Sequence, residues 1–268
     1  MKKHLITLCI VLCIKNYGFA QNSIGAKLMA MGNQNAAVKD DWNFTGNFVN
    51  DTQIGNPILA IGYSKYFYGG ELSDQNFKLI LPLKKYEAGL SFQRYGISEF
   101  NQINAGASLA KNFGDKFSIG LRANFHQLKI QNYGSSTGFS VDAGMVYQIN
   151  NQLTIGINVN NASKQTYQNT NVAIRIPSTI HLGAAYQASS KVLMATTITK
   201  NFNEKFDVGL GLDYKLIALL SLRGGITMKP FKQYGGVGID YKKFKIDLAV
   251  GSDPYLGYSS QMGLAYAF

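Results

Sequence analysis

Beyond residue 56 the chain alternates apolar and polar residues with a period of two. From Phe206 to Tyr214 every second residue is large and apolar, and from Phe244 to Val250 the pattern repeats with Lys245 and Asp247 between. Alternation of this kind predicts strands with one apolar face. After residue 20 no window reaches the roughly eighteen consecutive apolar residues of a membrane-spanning helix, which excludes a helical membrane protein.

The full pattern predicts an all-β protein with about fourteen strands of a length that suits a tilted crossing of a membrane. Positions on the second face are nearly all Gly, Ser, Thr, Asn or charged, so they offer no apolar core for a second sheet, and a soluble sandwich or propeller is disfavoured. We therefore predict a transmembrane antiparallel up-and-down β-barrel. Its strands are expected near 57–68, 74–83, 86–97, 98–111, 115–131, 138–149, 152–163, 178–188, 191–202, 205–215, 218–229, 234–242, 244–252 and 259–268.

The predicted connections are short after even strands, and the longer ones follow odd strands. This parity is expected of a barrel that places its short turns in the periplasm. The longer loops are predicted between Tyr68 and Asp74, Ile130 and Gly138, Lys164 and Pro177, and Ser252 and Tyr258.

The last strand ends the chain on phenylalanine. Met262, Leu264, Tyr266 and Phe268 share one face, which we expect to meet lipid, and small residues occupy the other. This strand should close the barrel against the strand near 57–68. We expect Phe268 to carry the insertion signal for the barrel-assembly machinery.

Residues 1–20 have the form of a secretory signal peptide. Lys2 and Lys3 precede an apolar run of about ten residues, and cleavage is expected between Ala20 and Gln21. Both cysteines of the chain lie in this segment, so the mature protein would have no thiol chemistry. The predicted organisation is a signal peptide over 1–20, an N-terminal segment over 21–56 and a barrel over 57–268, in the outer membrane of a Gram-negative-type bacterium among its lipids.

The composition of the chain limits which partners and which chemistry are expected. Removal of the signal peptide lowers the formal charge from +11 to +8, but only 15% of residues are charged and the basic residues are scattered, which argues against nucleic acid as a partner. His126 and His181 have no second ligand at local spacing, so neither a metal nor a cofactor is expected. Residues 134–138 match the letters of a nucleophile elbow around Ser136 but lack its strand-to-helix context, so no catalytic residue is assigned and an enzyme is not predicted.

Charged residues of both signs fall on the face that would line the lumen. Opposite signs on neighbouring strands predict mutual pairing in a filled interior, whereas a selective channel would concentrate one sign at a constriction. The candidate lumen charges are Arg122, Asp142, Asp207, Asp213, Arg223, Asp240 and Asp247.

The non-alternating stretch ahead of the first strand has three short motifs: Gly25 to Gly32, rich in small residues; Ala37 to Asp41, ending in an acidic pair; and Gly46 to Phe48. Together they resemble the N-terminal segment of the FadL-type outer-membrane β-barrel superfamily, in its PorV/PorQ-like type IX secretion branch. The third motif lacks the proline and small residue that follow the asparagine in that family.

This resemblance implies a fourteen-stranded barrel whose N-terminal segment lies in or under the lumen as a hatch. The alternative is a disordered periplasmic tail. The residues that the resemblance assigns to the plug are Gly25, Gly32, Asp40, Asp41, Trp42 and Asn47.

Two classes of function follow from the resemblance. One is a non-enzymatic accessory barrel of type IX secretion, which would bind secretion-system subunits or exported proteins. The other is a FadL-like transporter of hydrophobic small molecules, which predicts an apolar pocket leading from the outer loops to an opening in the barrel wall. Because the predicted outer loops are short for ligand capture, the sequence favours the accessory function.

Overall fold

The computed structural model describes residues 25–41, 46–51, 55–67, 70–168, 175–202, 205–255 and 257–268. The predicted cleavage site at Ala20 and Gln21 and the plug candidate Trp42 lie outside these described residues. What was expected of them stays a prediction.

Fourteen antiparallel strands close into one barrel, as the alternation predicts. Each strand pairs with its sequence neighbours, and the first pairs with the last over Ile58↔Ala267 to Tyr66↔Ser259. The strands are β1 (Ile58–Tyr66), β2 (Ser73–Leu83), β3 (Tyr86–Gly96), β4 (Phe100–Phe113), β5 (Phe117–Ile130), β6 (Gly134–Gln148), β7 (Leu153–Asn160), β8 (Thr179–Ser189), β9 (Val192–Asn201), β10 (Asp207–Ile217), β11 (Leu220–Met228), β12 (Phe231–Tyr241), β13 (Phe244–Asp253) and β14 (Gly257–Ala267).

Large apolar side chains cover the outside of the barrel and small or polar ones face the lumen. Leu121 is 60% exposed on the outer face, whereas its neighbour Arg122 is 5% exposed inside. In β14, Met262 and Leu264 point outward as predicted. Tyr266 lies between the rings of Phe244 and Phe268, at centroid distances of 4.8 and 5.1 Å.

The two ends of the barrel differ. At one end, called here the turn end, lie the ends of β1 and β14 nearest the chain termini and the connections after even strands, at 84–85, 114–116, 149–152, 190–191, 218–219 and 242–243. The opposite end, called the loop end, carries the connection at 161–178, which is the longest. The predicted long loops after Ile130 and Ser252 are wrong, because β6 begins at Gly134 and β13 continues to Asp253, leaving tight turns. Ser136 therefore lies in a strand, buried on the inner face.

Among the residues that the structure describes ahead of the barrel, two stretches are helical. α1 (Ala26–Ala30) and a 3-10 helix (Phe48–Asp51) both contact the inner faces of strands. Within the described residues no helix is long and apolar enough to cross a membrane.

Candidate functional site: the barrel lumen

The N-terminal segment, residues 25–51 so far as they are described, packs on a part of the inner wall that is lined by glycine. Leu28 and Met31 are fully buried there. A Cβ added to Gly211 would lie 2.1 Å from the Met31 carbonyl oxygen, and one added to Gly225 would lie 2.2 Å from the Gly32 amide nitrogen. The backbone of the N-terminal segment therefore lies directly on the backbone of the strands, a close approach that only glycine permits.

Hydrogen bonds and an ion pair attach the described part of this segment to several strands. Asn47 is completely buried and its Nδ2 donates to the Met145 carbonyl of β6 at 3.0 Å. Thr197 of β9 donates to Gln34 Oε1 at 3.0 Å. The Lys245 ammonium of β13 lies 2.6 Å from the Asp41 carboxylate.

Other plug candidates occupy the same packed segment. Gly25 precedes α1 with φ +99°, and Gly32 follows it with φ +73°. Asp40 is 6% exposed, and its Oδ2 is buried without a hydrogen-bond partner among the described residues. Burial raises the pKa of Asp40 to about 8, and burial also lowers the pKa of the neighbouring Lys39.

Five of the seven predicted lumen charges form ion pairs. Arg122 donates to Asp142 Oδ2 through Nη2 at 2.8 Å and through Nε at 2.9 Å. Arg223 donates to Asp213 at 3.2 Å and also contacts Asp247. Both sets are largely buried, so each charge is compensated within the wall.

The remaining two predicted charges join neither pair. Asp207 lies at the loop end, where its carboxylate accepts the backbone N–H groups of Met228 and Lys229 at 3.1 and 2.9 Å. Asp240 is exposed at the turn end. Lys245 is the direct cross-strand partner of Asp240, whereas Asp207 lies opposite Thr199 of β9.

His126 and His181 are held by neutral hydrogen-bond partners. His126 Nδ1 lies 2.7 Å from Asn104 Oδ1 and its Nε2 lies 2.7 Å from Ser140 Oγ. His181 contacts two threonine hydroxyls. In the part of the chain that the structure describes, no group of His, Asp and Glu is placed to hold a metal ion.

A cavity of about 810 Å³ opens in the loop half of the lumen. This loop-end cavity has an aromatic side, where Tyr66, Tyr95 and Phe100 stack edge to face at 5.6 and 6.4 Å. Its other surfaces include the amides and hydroxyls around His126. The cavity can therefore hold a small molecule with a large apolar part.

The long connection between β7 and β8 narrows this cavity, which the sequence did not predict. Tyr167 turns inward, and its hydroxyl accepts a hydrogen bond from Gln102 at 2.7 Å. Ile176 packs with Tyr167 against Leu128. Buried Asn161 fixes the loop by donating to the Ile176 carbonyl at 2.9 Å. The only sequence signal for this placement was the presence of Tyr167 and of four apolar residues, Val172, Ala173, Ile174 and Ile176, in a loop that is otherwise mostly polar.

A second cavity, of about 390 Å³, lies toward the turn end. Lys27, Asp41 and Asn50 of the N-terminal segment line this turn-end cavity, whereas Asn33 of the same segment lines the loop-end cavity. Among the described residues the two cavities share no lining residue. The N-terminal segment lies between them.

On the outer surface, an apolar pocket of about 670 Å³ faces the membrane side of β2 to β6. Its lining combines phenylalanine side chains with small residues such as Ala107 and Ala123. This wall pocket and the loop-end cavity have five lining residues in common. The shared residues are Ser91, Phe92, Gly106, Asn124 and Ser140.

No protein-family model matches the sequence, and no curated protein is significantly similar to it. The fold, however, is similar to that of solved outer-membrane channels. The Pseudomonas putida toluene transporter TodX superimposes with a TM-score of 0.68 at 11% identity, over 92% of this chain and 98% of that one. The monoaromatic hydrocarbon channel CymD gives 0.73 at 15% identity over 92% and 98%. A Pseudomonas aeruginosa FadL homologue gives 0.69 at 12% identity over 94% and 100%. The chain therefore shares the fold of these proteins, a closed antiparallel β-barrel, here of fourteen strands.

Proposed function

We propose that this barrel transports small, largely apolar molecules across the outer membrane. The observation that carries the proposal is the thin wall between the loop-end cavity and the wall pocket, because a molecule held inside lies one strand thickness from the lipid. Two of the structural neighbours are described as a toluene transporter and a monoaromatic hydrocarbon channel.

Loading would take place from the loop end. The aromatic side formed by Tyr66, Tyr95 and Phe100 offers edges and faces for an apolar ring or chain, and burial of apolar area supplies the binding free energy at about 25 cal/mol per Å². Polar side chains around His126 are hydrogen-bonded to one another, so binding of an apolar molecule leaves them satisfied.

Release would take place sideways, through the wall. In this proposal the N-terminal segment acts as the plug that blocks a straight passage to the turn end, since it separates the two cavities and is fixed by Asn47 and Asp41. The wall between β3 and β6 is continuously paired in the structure. Passage therefore requires transient parting of strands where Gly106 and Ala107 leave little side-chain bulk.

Only the sequence motifs of the N-terminal segment support the type IX secretion hypothesis. None of the structural neighbours reported above is described as a secretion component. Affinity purification of the native barrel tests it directly, because recovery of secretion subunits would favour that function, whereas recovery of bound lipid or detergent alone would favour transport.

Uptake of labelled toluene and labelled oleate, by cells that do or do not express the barrel, tests the transport proposal. Ser259→Trp should reduce uptake, because Ser259 lines the loop-end cavity. Ser260→Trp is the matched control, since the next residue of β14 is exposed on the outer face. Expression-independent uptake of both probes, or equal uptake by the two variants, would overturn the proposal.

A further inference from the structure

A cluster of lysines lies at the turn end of β2 to β5. Lys84 and Lys85 form the β2–β3 turn, Lys116 lies in the β4–β5 turn, and Lys111 lies near the end of β4. Register brings them together, because Lys111 is the direct partner of Tyr86 and the Asn112 amide donates to the Lys85 carbonyl at 3.0 Å. We call these four residues the lysine patch.

Lys111 lies on the membrane-facing side of the wall. It lies on the same face of β4 as the exposed Leu109 and Phe113. Its ammonium lies 5.3 Å from the centroid of the Tyr86 ring and 4.9 Å from that of Phe113. A cation held over aromatic rings at a strand end marks the boundary between hydrocarbon and headgroups.

The patch has an excess of positive charge that the described residues do not neutralise. No ion pair within the described chain joins any of its lysines to a carboxylate, and Asp115 is the exposed acidic residue next to it. Glu87, on the neighbouring strand, is buried on the inner face. An ammonium group at a lipid boundary gains most from an anion at the same depth.

We infer that the lysine patch binds the phosphate headgroup of an anionic phospholipid in the leaflet that surrounds the turn end. Lys111 contacts the phosphate from the hydrocarbon side, beside the acyl chains that cover Tyr86 and Phe113. Lys84, Lys85 and Lys116 contact it from the aqueous side. This inference concerns the outside of the barrel and does not depend on what the lumen carries.

The full chain is tested in phosphatidylcholine nanodiscs that contain spin-labelled phosphatidylglycerol or spin-labelled phosphatidylcholine. The wild type should prefer phosphatidylglycerol, and Lys111→Gln should weaken that preference about fivefold, the effect of one lysine near an anionic surface. Adding Lys84→Gln and Lys85→Gln should abolish it. High salt should weaken the preference in the wild type.

Lys129→Gln is the matched control. Lys129 lies on the adjacent strand β5, also on the outer face, but at the loop end. It should leave the preference unchanged. Equal loss in both variants would show a general charge effect and overturn the inference, as would an unchanged preference in Lys111→Gln. A Lys111-dependent preference for spin-labelled lipid A over phosphatidylglycerol would also overturn it, because the bound phosphate would then come from the other leaflet.

Discussion

Gly225→Ala should detach the N-terminal segment from the barrel wall. The added methyl would lie 2.2 Å from both the Met31 carbonyl carbon and the Gly32 nitrogen, whereas ordinary contacts begin at 3.4 Å. Relief of the clash needs a displacement of about 1 Å. β11 is held by hydrogen bonds to strands on both sides, so the segment should move rather than the strand.

The expected free-energy cost of Gly225→Ala is that of overpacking an interface. Forcing one methyl group into a packed interface costs about 1–3 kcal/mol, which lowers the docking equilibrium of the segment by about 5- to 150-fold. Gly224→Ala is the matched control, because a methyl at Gly224 meets nothing within 4 Å. It should change docking little, apart from the small backbone effect common to both substitutions.

Hydrogen exchange of the amides in residues 25–41 measures docking directly. Gly225→Ala should accelerate exchange throughout this range, while the strands of the barrel keep their protection. Gly224→Ala should exchange like the wild type. Equal exchange in the two variants would refute the close packing of Met31 and Gly32 on the wall.

Three further predictions concern other parts of the barrel. Because burial raises the pKa of Asp40 to about 8, docking of the N-terminal segment should be strongest below about pH 4 and should weaken as the pH rises to 8. The ratio of hydrogen-exchange rates between the wild type and Asp40→Asn should follow this pH dependence, and a ratio that does not change with pH would contradict it. Arg122→Leu should destabilise the barrel by about 3–5 kcal/mol in urea titrations by leaving Asp142 buried without its cation, and adding Asp142→Leu should recover part of the loss; no difference between single and double variants would count against the pairing. Deleting Phe268 should lower the amount of heat-modifiable barrel in the membrane, and normal levels would refute its role as an insertion signal.

The strands could be predicted because their outer face is apolar at nearly every position, whereas most positions of the inner face are small or polar. That constraint acts on every second residue, so β14 and its outward Met262 and Leu264 were predicted correctly. The long loops after Ile130 and Ser252 were predicted wrongly, because strands that extend beyond the membrane no longer need an apolar face. Alternation fades there although the backbone pairing continues to Gly134 and Asp253.

The lumen could be predicted only in part. Arg223 was expected to pair, but its partners depend on register: Asp213 is its direct neighbour, and Asp247 lies beyond β12. Gly238 leaves the space for this reach, since a Cβ there would lie 2.3 Å from the guanidinium. The inward turn of Tyr167 depends on contacts with distant strands, which local pattern does not encode.

A disulfide across the β4–β5 seam tests sideways release most directly. Ala107 and Ala123 both line the wall pocket and are direct cross-strand partners, a spacing that suits a disulfide. Ala184→Cys/Thr196→Cys places the same lock between β8 and β9, away from the pocket. Oxidised Ala107→Cys/Ala123→Cys should lose toluene uptake and regain it on reduction, while the β8–β9 lock leaves uptake intact. Full uptake with the β4–β5 seam locked would contradict release through this wall.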